Sequence, residues 1–123
     1  MVFSAVLATA IHAHEEHKGK AVTITGTVVD TGCYMSHDAI GDKHTECATA
    51  CAKAGVPLAI VDGAGKIYLP IAADHKNANA KLMPFIEKKV RVTGTTMEKG
   101  GLEGIVIKTV EAAQLESATS PAR

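Results

Sequence analysis

Two stretches of this chain match each other without a gap: VTITGTVVDTG, from Val22 to Gly32, and VRVTGTTMEKG, from Val90 to Gly100. In the first, Val22, Ile24, Gly26 and Val28 alternate with Thr23, Thr25 and Thr27, the period-two pattern of a half-buried strand. Each stretch is the length of one strand and its turn, too short for a solenoid repeat, so the match points to two strands with the same structural task. Gly26 and Gly94 fall mid-strand. Glycine there weakens a strand and marks sharp coiling or close approach of another backbone. A sheet that must curl and close on itself needs such kinks, so the chain is restricted to small, strongly bent β architectures.

The remaining elements fit between and after these strands. Leu58–Val61 and Lys66–Ile71 flank Asp62-Gly63-Ala64-Gly65 and read as a hairpin, with Pro70 at an edge or strand end. Asp74 to Met83 predicts a short helix that Pro84 ends, with His75 as a capping or surface residue near its start. Phe85 and Ile86 would plug the core, and Gly104 to Val110 supplies a last strand. The order is strand, Cys/His segment, strand, strand, helix, strand, strand. That is the order of the OB-fold, an all-β five-stranded Greek-key barrel, here with a loop–helix insertion over residues 33–55 after strand 1. Residues 20–113 would form this domain, with a polar, His-rich arm over 1–19 and a Ser/Ala/Thr tail over 114–123.

All three cysteines lie in the insertion, spaced Cys33-x10-His44-x2-Cys47-x3-Cys51. A helix from about Thr45 to Lys53, stopped by Gly55 and Pro57, puts His44, Cys47 and Cys51 on one face or at its N-terminal lip. Cys33, at the end of the first strand, can fold back as a fourth ligand. Three thiolates and an imidazole are a standard tetrahedral zinc set, and a closed set of four is structural. Few large apolar side chains occur in the insertion, so a metal would supply much of its folding free energy. One disulfide from Cys33 to Cys47 or Cys51, leaving a third thiol, is the alternative, and an iron–sulfur cluster is another. Met35 and His37, close to Cys33, would suit copper, so a copper carrier or redox protein is a further candidate; more simply, Met35 fills a gap and His37 caps a turn. Tyr34 would cover the site. Haem c attachment is disfavoured because no Cys-x-x-Cys-His occurs.

The runs G-T-V-V-D-x-x-C-Y, H-x-x-C-A-x-x-C-A-K-x-G-x-P and G-x-I-Y-L resemble small exported bacterial proteins with an OB-like core. The resemblance covers Val22 to Val110. It implies an exported single domain in which Cys33, His44, Cys47 and Cys51 belong together, and it carries no activity with it.

Composition narrows the partners. Formal net charge is zero, Trp is absent, and the aromatics are Phe3, Phe85, Tyr34 and Tyr68. Nucleic-acid binding on an OB surface needs a basic groove with stacking aromatics, which this composition does not supply. No catalytic nucleophile–base–orienter set is legible, since Ser36 beside His37 is too common a pairing, and a thiol oxidoreductase would need Cys-x-x-Cys. Val2 to Ile11 is apolar, and Ala8-Thr9-Ala10 gives the small-x-small pattern of a signal-peptidase site, although a basic stretch ahead of it is missing. This reads as the end of an export signal, placing the domain in the periplasm or on the outer face of the cytoplasmic membrane; the alternative is an apolar arm that packs on the domain or a partner. His12, His14 and His17 beside Glu15 and Glu16 are weak metal candidates or a solvated linker. The expected role is binding, with a metal ion and an accessory place on a membrane redox complex as the partners, and no stretch is long enough to span a bilayer as a helix.

Overall fold

The computed structural model describes residues 19–113. The apolar run at residues 2–11, His12, His14, His17 and the tail from residue 114 lie outside the described residues. Five strands, β1 (Lys20–Asp30), β2 (Leu58–Asp62), β3 (Ile67–Pro70), β4 (Lys89–Lys99) and β5 (Leu102–Ala112), close into a barrel in the order β1-β2-β3-β5-β4. Every neighbour is antiparallel except β3 and β5, which pair in parallel through Leu69↔Gly104 and Pro70↔Ile105. This is the OB-like barrel that the order of elements predicts.

The two matching stretches form β1 and β4, and they pair with each other: Val22 faces Gly94 and Gly26 faces Val90. Each glycine makes room for the strand on its other side. A Cβ on Gly26 would collide with the carbonyl oxygen of Val61 on β2, and one on Gly94 with that of Val106 on β5. At Gly94 the ladder also shifts register, Thr93 facing Thr109 and Gly94 facing Ile107, and this bulge adds to the local bend. Gly100 and Gly101, with φ of 60° and 82°, form the tight turn that returns β4 into β5. The β2–β3 turn is held by Asp62, whose Oδ1 accepts from the amides of Ala64 and Lys66 at 2.9 Å each.

Inward-facing Ile24, Val28, Leu58, Ile60, Val90, Val92, Ile105 and Ile107 fill the barrel, and Leu82, Ile86, Ala48 and Ala52 join them. Burying each large aliphatic chain contributes roughly 1.5–3 kcal/mol, enough for a core almost free of aromatics. On the outer face, Val29, Ala59 and Val61 form a smaller cluster covered by Tyr34, Ile67 and Leu69.

Two local predictions need correction. Between β3 and β4 the chain forms successive turns and a single 3-10 turn at Met83–Phe85, where a short helix from Asp74 is expected. The cause is side-chain capture of backbone amides: Asp74 Oδ1 accepts from the Lys76 amide and Asn77 Oδ1 from the Asn79 amide. His75 is exposed with φ of 61°, which also breaks helical continuation. The buried Asn79 then takes the amide of Leu58 and donates to the carbonyl of Val56, fixing the entry to β2. The second correction concerns Cys33, which sits not at a strand end but within a helix.

Candidate metal centre

The insertion leaves and re-enters the barrel at one rung, with Asp30 opposite Leu58 and the Thr31 amide and hydroxyl both bonded to the Pro57 carbonyl. It contains two short helices, α1 (Thr31–His37) and α2 (Thr45–Lys53). Asp30 caps α1, its Oδ1 accepting from the Cys33 amide at 2.9 Å, and Asp38 ends it in a left-handed conformation. Tyr34 holds α1 down by packing on the outer apolar cluster.

For α2 the sequence supplies both boundaries. His44 is the N-cap residue, Glu46 lies in the first turn and Lys53 in the last, as the helix dipole favours. At the C-terminus Gly55 takes φ of 99°, its amide bonds to the Ala52 carbonyl, and the Val56 amide bonds to the Cys51 carbonyl. That double closure is a Schellman motif. Ala48 and Ala52 seat this helix in the barrel core. Cys47 and Cys51, each one residue earlier, are turned away from that contact and lie one above the other toward α1.

The three cysteine sulfurs lie within 4.8 Å of one another, all as free thiols. Cys33 Sγ and Cys47 Sγ are 3.7 Å apart. A tetrahedral ion with zinc–sulfur bonds of about 2.3 Å sets its sulfurs about 3.8 Å apart, so this pair already has the spacing of two ligands. Cys47 is exposed, Cys33 and Cys51 half-buried. The Cys33 thiol is pushed up to about 12 by its hydrogen bond with Cys47, with burial and the nearby Asp30 charge adding to it. Burial likewise raises Cys51, offset in part by the Cys33 thiol. Without a cation these two groups hold their protons at neutral pH, so a metal must displace them. Calorimetry in buffers of different ionisation enthalpy is expected to show release of about two or more protons per ion bound.

The other predicted donors are placed differently. His44 is half-buried at the head of α2, one turn below Cys47, and is not part of the three-sulfur group. His37 is exposed in the last turn of α1 and also lies outside that group. Met35 is 70% exposed and lines a groove with Ile67, Leu69 and Leu102. No family model, curated protein or solved structure matches this chain. The chemistry of the site therefore rests on its own geometry: a cluster of three thiols, able to hold a metal ion, carried by two helices on one flank of a closed barrel.

Two buried acids that sequence reasoning did not select as site residues hold the backbone of the insertion that carries the thiols. Asp30 is fully buried, and Glu87 is 3% exposed with φ of 59°. Glu87 Oε2 accepts from the Gly41 amide at 2.6 Å, and so holds the loop that leads into α2. Asp30 carried a signal, an Asp at the end of a strand where an N-cap can form, whereas Glu87 reaches the insertion from the segment ahead of β4, bonded to Val28 of β1, and no local pattern announces it. Burial raises the Glu87 carboxyl above its ordinary 4.5, the Asp30 charge adds to this, and the Gly41 amide and His44 oppose it. An acid whose folded pKa is raised stabilises the fold fully below its unfolded value, and that contribution is lost as pH rises through the folded one. In metal-free protein, urea midpoints should fall as pH rises from 4.5, and Glu87→Gln should flatten that slope.

Proposed function

We propose that this domain is an exported metal-binding module whose Cys33, Cys47 and Cys51 thiolates hold one zinc ion that fixes the insertion to the barrel. The convergence of three sulfurs from two helices is the observation that carries this reading. Zinc suits it because thiolates satisfy a borderline-soft ion without imposing geometry. His44, the N-cap residue of α2 three positions before Cys47, would turn in as fourth ligand and close the set. A closed set makes the ion structural and the domain a binding module. The apolar residues 2–11 and the Ala8-Thr9-Ala10 pattern support export, where bound metal protects the thiols from pairing. A neutral surface and that apolar run suit an accessory subunit docked on a membrane redox complex; recovery of the native protein as a free monomer would count against this docking.

Elemental analysis with an optical spectrum, on protein purified without a tag, tests the reading. One colourless zinc per chain is expected, and chelation should disorder α1 and α2 while leaving the barrel folded. The exposure of Cys47 favours one rival, a carrier of a soft ion such as copper, because an exposed ligand lets an incoming thiolate displace it. An equivalent of copper in place of zinc by elemental analysis would establish the rival and overturn zinc.

A further inference from the structure

Asp30 and Glu87 share an arrangement that caps alone do not explain. Each buried carboxylate uses one oxygen to hold a cysteine-bearing segment: Asp30 Oδ1 takes the Cys33 amide of α1, and Glu87 Oε2 takes the Gly41 amide on the approach to α2. Each keeps its other oxygen, Asp30 Oδ2 and Glu87 Oε1, buried with no hydrogen-bond partner. The salt bridges among the described residues involve neither acid. An unpartnered buried carboxylate oxygen is costly, and buried charges persist where an opposite charge compensates them. A neutral amide, with the same shape and one acceptor oxygen, would make either anchoring bond. The negative charge itself therefore calls for a reason.

We infer that Asp30 and Glu87 are positioning residues of the metal centre, one for each cysteine-bearing segment, and that their uncompensated charge is balanced by the cation at the thiols. This inference rests on the zinc reading above. Partners behind metal ligands orient them and raise affinity, typically by 10–100-fold. Here they would do so at the expense of the metal-free fold, which carries two buried acids without a salt bridge, His44 offsetting the Glu87 charge only in part. The metal-free and metal-bound forms are driven apart by the same two side chains.

The test compares Asp30→Asn, Glu87→Gln and the core control Leu82→Ala with the wild type. Affinity for zinc alone is measured by competition with a chromophoric chelator, and the metal-free urea midpoint is measured in parallel. Each amide variant should bind zinc about tenfold or more weakly while its metal-free midpoint stays level or rises. Opposite signs identify charge balance, because an anchor that matters only for structure lowers affinity and midpoint together, as Leu82→Ala should lower the midpoint. If the amide variants bind as tightly as the wild type, or lose affinity only in step with stability, the inference is overturned and the zinc centre stands. If the wild type itself takes up no zinc, both readings fall. Asp30→Asn alters the cap of α1; should it fail to fold, Glu87→Gln, in a different segment, decides the matter alone.

Discussion

Replacing Gly94 by alanine is expected to destabilise the barrel by about 3 kcal/mol or more, a large part of the total stability of a domain this size. The added methyl would collide with the Val106 carbonyl oxygen and lie 3.2 Å from Ile105 Cγ1. The first obstacle is backbone in the neighbouring strand, which no rotamer change can move aside. Gly26→Ala should behave alike, because it meets the Val61 carbonyl oxygen in the same way across the β1–β2 pair. Gly63 provides the control. A Cβ there meets no atom within 4 Å, so Gly63→Ala should stay within about 0.5 kcal/mol of the wild type. Urea unfolding followed by far-ultraviolet circular dichroism measures all three. A Gly94→Ala midpoint equal to that of Gly63→Ala would show that the strands do not approach as closely as described.

The second large effect is chemical. Cys47→Ser should weaken zinc binding by at least about a hundredfold, beyond the usual loss when a partner behind the ligands is removed. A hydroxyl replaces a sulfur ligand that lies 3.7 Å from Cys33 Sγ. The metal-free fold should be unaffected, because Cys47 is exposed and the neighbouring Ala48 makes the core contact. Far-ultraviolet ellipticity equal to that of the chelated wild type, with no retained zinc, is therefore the expected pair of results. A full equivalent of tightly held zinc in Cys47→Ser would refute the three-thiolate centre.

The parts of this fold that were legible in the sequence are those written in local chemistry. Alternation of Thr with Val and Ile marked β1, the Asp-Gly turn marked the β2–β3 hairpin, and Gly55 marked the end of α2. The mid-strand glycines pointed to close backbone approach, although the strands that approach them are set by topology. The parts that were not legible depend on contacts distant in the chain. α1 contains Gly32 and is only seven residues long, so its propensity is weak; Asp30 and the packing of Tyr34 hold it in place. That helix carries Cys33 to α2, which spacing alone could only suggest. Between β3 and β4, Asp74 and Asn77 redirect the backbone into turns, a competition that an Ala/Asn/Lys-rich composition conceals. Glu87 meets Gly41 only because β4 follows β1 in space.

The parallel contact between β3 and β5 carries one more consequence. Every other junction in the cylinder is an antiparallel ladder between chain neighbours or between the long β1 and β4, whereas this one pairs two residues of β3 with two of β5 in parallel; the β2–β3 ladder is as short, but the Asp62 turn closes it. A closed ring presents no free edge on which a second molecule can add a strand. When the ring parts, it does so at this short join that no hairpin turn bridges, and both exposed margins become templates for intermolecular pairing. Strand exchange and heat-induced aggregation of this protein should therefore begin at Leu69 and Pro70, and a covalent link across that join should suppress both.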